Sequence, residues 1–436
     1  MEISSESFEF RKQDDVRILV VGPPRTLLDE TNVDAYYQVE SPIRDHDNFY
    51  LLQKVRELCS LYSASQRRII AFERNLQRLV AQIRKEMGIE GFYPEQLKQL
   101  LDVRDAIHNP RKNGISTLRQ CSLSGIPQPE PWLDVIRSQV GDFPLVVRSV
   151  HHQPPQDILR TEREFRQWLR NNSTVDLTDE YVVEEFIEGG YEFTAFCTAV
   201  GGLIACAASI ETHRTILECI QNQLPYAIQL FSVEQTRDIL PGVESFTSQV
   251  IKATFSKSYV GAIFIKGFYK GHNNIFFLGF TLEPESDTLR ALFAMSPAVS
   301  WETVLVESLY ESSKTILNGN SASSSIHHCV VNFPSAEGVL IHQTSIPKRP
   351  TSEMRVAWRC AEGQEMKNSI RIDDNVLQVY LSNTDHARLI NEAQDIMQTT
   401  DITIDRNVLM ERHSVCRRNV SRLNPRELIR SCTTRD

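Results

Sequence analysis

Four apolar runs arranged as two neighbouring pairs constrain this chain more than any other feature. EFTAFCTAV (Glu192 to Val200) and LIACAASIE (Leu203 to Glu211) are joined across Gly201 and Gly202, whose freedom at positive φ suits a two-residue hairpin. VGAIFIKGFY (Val260 to Tyr269) and NIFFLGFTLE (Asn274 to Glu283) form a second hairpin around Gly271 to Asn274. Strands joined this closely run antiparallel, so the middle of the chain is expected to be an antiparallel sheet with helices between its hairpins.

The flanks read differently. VRILVVGPP (Val16 to Pro24) is a short apolar run ending in glycine and two prolines, which suits a buried parallel strand entering a loop. RRIIAF (Arg67 to Phe72) reads as a second strand leading into Glu73; Phe72, Leu76, Leu79, Val80, Ile83 and Met87 then recur at helical spacing until Gly88 stops the pattern. Together they predict a small Rossmann-like layer. From Pro94 to Gly125 the pattern is helical twice over, with a break near Asn109 and Pro110. FPLVVRSV (Phe143 to Val150) and YVVEEFI (Tyr181 to Ile187) follow as strands.

After a helical stretch from Trp301 to Leu317, NGNSASSS (Asn318 to Ser325) has linker composition. Beyond it HHCVVNFPSAEGVLI, MRVAWRC, NVLQVYLS and the helix TDHARLINEAQDIM (Thr384 to Met397) predict a small α+β cap, with Asp385 suited to start the helix. From Arg406 the chain carries eight arginines and no lysine, and reads as a mobile basic tail that could contact a protein partner; its RRNVS around Ser421 matches a basophilic kinase site. The fold class expected is α/β to α+β. The expected boundaries are a Rossmann-like domain over 1–110, a two-lobed domain over 111–317, a cap over 326–400 and a tail over 401–436.

Composition narrows the function classes. With 436 residues, 41% hydrophobic and 24% charged, the chain can form two to four packed units. A formal charge of -9 argues against nucleic acid as partner, since backbone affinity is built from excess Lys and Arg. No run is apolar enough for a bilayer span, and MEISSESFEF lacks the order of a secretory signal, so a cytoplasmic protein with no membrane partner is expected. The nine cysteines are odd in number, scattered and without a CxxC pair, which fits reduced packing residues. The pairs His151–His152 and His327–His328 are adjacent, so a strand would send the two rings of each pair to opposite faces, away from a shared metal. No GxSxG, HExxH or Walker-type motif occurs.

The order of the pieces resembles ATP-grasp ligases, in particular carnosine synthase and the L-amino-acid ligases. Val16 to Pro24 and IIAFERN (Ile69 to Asn75) match the family's opening strands, and the segment from Met87 to Ser116 resembles the one bearing its RDK signature. GDFPLVVRS (Gly141 to Ser149) is similar to the G-[YF]-P-V-V-V-K-P strand, VVEEFIEGGYEFT (Val182 to Thr194) to the adenine-side E-E-F-[IV]-x-G-x-E strand, and VVNFPSAEGVL (Val330 to Leu340) to the C-terminal cap. The resemblance implies ATP held between two α+β lobes, and Mg²⁺ on carboxylates. It also implies a carboxylate substrate activated as an acyl phosphate and captured by an amine.

Carried over residue by residue, Glu184 falls where the family reads the adenine amino group, Glu185, Phe186 and Ile187 offer backbone hydrogen bonds, and Glu192 falls at the ribose, one residue out of register. Arg148 stands for the second phosphate lysine and keeps its charge, and reads either as a phosphate contact or as an interlobe salt-bridge residue; Ala106, after Arg104 and Asp105, removes the first. HHQPPQDILR (His151 to Arg160) occupies the phosphate lid without a glycine. Of the metal strands G-x-x-H-x-E and E-[IV]-N-x-R, Phe264 takes the His position, Lys266 and Gly279 the two Glu positions, Thr281 the Asn and Glu283 the Arg. Glu283 and Glu285 of TLEPES are the nearby acids; Glu283 is the candidate metal ligand if the second strand slips in register, and otherwise reads as a solvated acid at the strand end. This pattern predicts a degenerate module that holds a nucleotide or amino-acid ligand, ATP with little role for Mg²⁺. The alternatives are an active ATP-dependent ligase with an unusual metal site, and a scaffold acting through its arginine-rich tail.

Overall fold

A computed structural model describes residues 19–22, 35–38, 45–63, 67–71, 76–122, 132–150, 157–171, 181–198, 202–211, 213–255, 261–295, 301–307, 326–346 and 351–406. The chain divides into two units, residues 1–215 with 228–328 and residues 216–227 with 329–436. Among the described residues no helix is long and apolar enough to cross a membrane.

The first unit opens with β1 (Leu19–Gly22) paired in parallel with β2 (Ala35–Gln38), as the run at Val16 to Pro24 predicts. After α1 (Asp45–Ser60) the expected strand at RRIIAF is not in a ladder: residues 67–71 carry no strand pairing. Side chains of the next helix hold this stretch instead, Arg84 Nη2 donating to Ile69 O and Gln77 Nε2 to Ala71 O at 2.9 Å. That helix, α2 (Gln77–Met87), buries Val80, Ala81 and Ile83 and ends where Gly88 takes the left-handed conformation at φ 63°.

Three short helices follow, α3 (Pro94–Leu101), α4 (Val103–Ala106) and α5 (His108–Lys112). The break expected at Asn109 and Pro110 lies earlier, at Asp102, whose carboxylate caps α4 by accepting from Arg104 N. Pro110 sits in the first turn of α5, where its missing N–H costs nothing. The second helical pattern is also corrected: Gln120–Ser122 form a strand, β3. Its backbone groups are claimed by a partner over sixty residues away, which local periodicity does not encode.

α6 (Trp132–Gln139), β4 (Leu145–Ser149), β5 (Asp157–Leu159), α7 (Glu162–Asn171) and β6 (Tyr181–Glu185) complete a first lobe. Its antiparallel sheet runs β3–β6–β4–β5. Trp132 and Ile136 of α6 and Phe165 and Trp168 of α7 pack on Leu145, Val147 and Val183.

The second lobe contains β7 (Tyr191–Thr198), β8 (Leu203–Ser209), β9 (Tyr226–Ser232), α9 (Val233–Ile239), α10 (Val243–Thr254), β10 (Ala262–Tyr269), β11 (Ile275–Thr281), α11 (Asp287–Met295) and α12 (Trp301–Glu307); α8 (Ile216–Gln221) belongs to the second unit. The strand order is β11–β10–β7–β8–β9, antiparallel, with both expected hairpins in it. Thr198 N donates to Gly202 O at 2.9 Å at the base of the first hairpin, whose residues 199–201 lie outside the described ones. One sheet face, with Phe193, Ala195, Cys197, Ile263, Ile265 and Phe277, packs on Val243, Phe246 and Val250 of α10.

The second unit carries β12 (His327–Pro334) from Cys329 onward, β13 (Gly338–Leu340), β14 (Glu353–Trp358), β15 (Glu365–Met366), β16 (Asn375–Asn383), α13 (His386–Thr399) and β17 (Ile404–Asp405). They form sheets β12–β16–β14 and β15–β13–β17. Asp385 caps α13 through Arg388 N, as expected. Residues 404–405, assigned to the tail on sequence, pair with Val339 and Leu340. The Asn318–Ser325 linker, His151 and His152, and the tail from 407 on with Ser421 lie outside the described residues.

Candidate functional site

The first lobe positions the nucleotide-side candidates. In the β4–β6 register Val146 faces Glu184 and Arg148 faces Val182, which makes Arg148 and Glu184 diagonal neighbours on one sheet face. Both are buried, and Arg148 Nη2 donates to Glu184 Oε1 at 2.6 Å. Arg148 Nε, also buried, has no acceptor among the described residues. Glu185 points the other way, to Arg119, whose backbone N donates at 2.7 Å and whose Nε donates at 2.8 Å.

Beyond β6 the chain crosses to the second lobe. Phe186 lies under the Arg160 guanidinium, 5.9 Å from the ring centre, and Ile187 packs with Leu118 and Phe268, Phe276 and Leu278 flanking them. Lys270 Nζ donates to Glu188 O at 2.8 Å and fastens this linker to the end of β10. Gly190 allows the approach: at φ 109°, a Cβ there would meet Tyr269 O at 2.9 Å. Glu192 lies on β7 opposite Phe268, and its backbone N donates to Ser209 Oγ at 3.1 Å.

The metal-side candidates share the other face of the β7–β10–β11 ladder. One cross-strand row is Thr194, Lys266, Gly279; the next is Phe196, Phe264, Thr281. Phe264 stacks on Phe196 at 4.6 Å and meets Phe293 of α11 and Trp301 of α12 edge-on, so its row is closed by aromatic packing. A bulge falls between Lys266 and Gly267. Only glycine fits at 267, because a Cβ would sit 2.5 Å from Phe193 Cζ and 2.7 Å from Phe276 O. Over Gly279, in contrast, an added Cβ meets nothing within 4 Å.

Lys266 is 8% exposed. A lysine this deep in an apolar strand needs an acid, and Glu285, from the loop leaving β11, supplies it: Lys266 Nζ lies 2.5 Å from Glu285 Oε2. The other oxygen, Glu285 Oε1, is buried and takes no hydrogen bond among the described residues, nor does Thr281 Oγ1. Glu283 turns to α11, with Arg290 Nη2 at 3.3 Å and the Arg290 guanidinium 5.6 Å from the Trp301 ring. Two acids are thus set against two bases. Lys266, Gly279 and Thr281 are on one face as the motif alignment has them, but the Lys266–Glu285 pairing was not read from the sequence. Its signal was there: one lysine inside an apolar strand, and one acidic cluster, TLEPES, within reach.

No protein-family model and no curated protein matches the sequence. Solved structures do match in shape. The L-amino acid ligase from Bacillus licheniformis superposes with a TM-score of 0.61 at 10% identity, over 89% of this chain and 99% of the ligase. The chain has the ATP-grasp fold. N5-carboxyaminoimidazole ribonucleotide synthetase from Thermotoga maritima gives 0.50 at 12% identity, over 89% and 93% of the two chains. The biotin carboxylase domain of the Hydrogenobacter thermophilus 2-oxoglutarate carboxylase, solved with MgADP, ADP and bicarbonate, gives 0.52 at 12% identity, over 89% and 86%.

Against the ATP-grasp fold, the residues present do not suit the divalent metal that the family implies. Mg²⁺ requires near-octahedral oxygen donors at about 2.0–2.1 Å. Here one expected carboxylate position carries an ammonium and the other no side chain, and the two nearby acids, Glu285 and Glu283, are paired with Lys266 and Arg290. No cluster of three or more His, Cys, Asp or Glu with metal-holding geometry occurs among the described residues.

Proposed function

We propose that this chain is an ATP-grasp module that has given up divalent-metal catalysis and is retained to bind a nucleotide or to regulate. The observation that carries the reading is the buried Lys266–Glu285 ion pair on the strand facing Gly279, where a Cβ would meet nothing within 4 Å; Lys266 and Gly279 stand where the sequence resemblance expects the metal carboxylates. A cation bound covalently to the fold takes up the charge that a dissociable metal would meet. An incoming Mg²⁺ would have to displace Lys266 from Glu285, and it would be repelled by the ammonium within a few ångströms in a low-dielectric setting.

The nucleotide side supports retention of binding. Arg148 keeps a cation on the phosphate strand with a buried N–H to spare, Ile187 keeps an apolar face between the lobes, and a solved ATP-grasp neighbour carries ADP. Glu283, salt-bridged to Arg290, serves packing between β11 and α11 in this reading.

Incubation of the purified protein with ATP, Mg²⁺ and pairs of amino acids, with ADP release as readout, tests the loss of catalysis. The expected result is no release above the no-enzyme control. Mg²⁺-dependent release that Glu283→Ala abolishes would establish an active ligase in its place.

A further inference from the structure

The second unit ends its sheet on a strand that is built to pair with itself. β14 (Glu353–Trp358) is the last strand in the order β12–β16–β14, and among the described residues nothing pairs with its outer side. None of its six residues is buried, and Val356 is 37% exposed. A proline-free edge of this length offers a row of outward backbone N–H and C=O groups as a template for another strand.

Which groups face outward follows from the ladder. Arg359 N donates to Val376 O, so in the register that pairs Trp358 with Leu377 the odd-numbered residues bond inward to β16. The N–H and C=O groups of Met354, Val356 and Trp358 therefore point away from the sheet. We infer that β14 pairs antiparallel with β14 of a second copy about a two-fold axis at Val356, forming an isologous dimer. In that register Val356 faces its counterpart and Met354 faces Trp358 of the other copy, each such pair exchanging two hydrogen bonds. Glu353 comes opposite Arg359 of the other copy, twice by symmetry.

The side chains favour this register over its neighbours. Apolar meets apolar along one face, and acid meets base at both ends of the overlap, where opposed unlike charges stabilise a strand pair and like charges would oppose it. Arg359 is held ready, since its Nε and Nη2 donate to Gln378 Oε1 at 2.9 and 2.6 Å, and Gln378 is anchored through Asn332 Oδ1 at 2.9 Å. Arg355 takes no part in the charge matching; its guanidinium stacks on Tyr380 at 4.4 Å. Sliding either strand by two residues separates Glu353 from Arg359 and shortens the overlap.

Sedimentation equilibrium of the full chain at micromolar concentration tests the inference. The expected state is a dimer in reversible exchange with monomer. Val356→Pro removes an outward N–H that β16 does not use, as edge strands tolerate, so it is expected to give a folded monomer with the circular dichroism of the wild type and a melting temperature that no longer depends on protein concentration. Glu353→Arg and Arg359→Glu are each expected to be monomeric, and an equimolar mixture of the two to dimerise, because both opposed pairs are then unlike again. A monomeric wild type would overturn the inference, as would a dimer insensitive to Val356→Pro or a charge-reversed mixture that stays monomeric.

Discussion

Lys266→Met is the most informative single change, because it removes the cation and leaves the rest of the strand's packing in place. Both partners of the ion pair are about nine-tenths buried, with side chains 10% and 9% exposed at Lys266 and Glu285. Deleting one member strands the other charge in the interior, which costs about 3–5 kcal/mol. At an unfolding entropy of about 2.1 cal/mol/K per residue, a unit of about 300 residues shifts by about 1.5 °C per kcal/mol, so the variant is expected to melt roughly 5–8 °C lower. The double variant Lys266→Met, Glu285→Met buries no charge. Replacing a buried pair by apolar side chains of similar volume is close to neutral, so most of the loss is expected to be recovered. The assay is thermal unfolding by circular dichroism on the four proteins of the cycle, with Glu285→Met as the second single variant. Strict additivity, or a Lys266→Met protein that melts with the wild type, would refute the claim that these two charges form one buried unit.

Three other outcomes follow from the packing. Gly279→Ala is expected to be neutral or to stabilise by about 0.5–1 kcal/mol, since its Cβ enters open space, whereas Gly267→Ala drives a methyl into Phe193 and is expected to cost about 1–3 kcal/mol; chemical denaturation separates them. Burial raises the Asp157 carboxyl above its ordinary value against the opposing hydrogen bond from Trp168 Nε1, so its contribution to stability is present below the ordinary carboxylate value and is lost as pH rises through the folded one. Asp157→Asn is therefore expected to raise the melting temperature at neutral pH, and to lose that advantage in acid. Burial pushes the Cys197 and Cys329 thiols up to about 12 and the Cys206 thiol up as well, so all three are expected to resist a thiol reagent until the chain unfolds.

Much of the fold was legible because its signals are local. Gly88 stops α2, Asp385 caps α13, and the two hairpins place β7, β8, β10 and β11 within a residue or two of where their apolar runs begin and end. What failed depends on distant partners. RRIIAF has the composition of a strand, but side chains of α2 occupy its carbonyls; Gln120–Ser122 reads as helix by spacing, but β6 claims it. The site divides in the same way. Strand periodicity puts Lys266, Gly279 and Thr281 on one face, but nothing local pairs Arg148 with Glu184, since that contact follows from the β4–β6 register. Alignment could not show that Glu285 leaves its loop to meet Lys266 while Glu283 turns to Arg290, because loop geometry decides which of two nearby acids is buried.

The most direct test of the central claim is calorimetric titration of the protein with ATP in excess Mg²⁺ and again in excess chelator, each paired with a thermal-shift curve. A ligand that binds the native state raises the melting temperature through RT ln(1 + [L]/Kd), so even weak binding registers. A module whose cation is Lys266 is expected to give the same affinity and the same shift in both conditions. Affinity that appears only with Mg²⁺ would mean that oxygen ligands for a metal do assemble at this site, and would contradict the account.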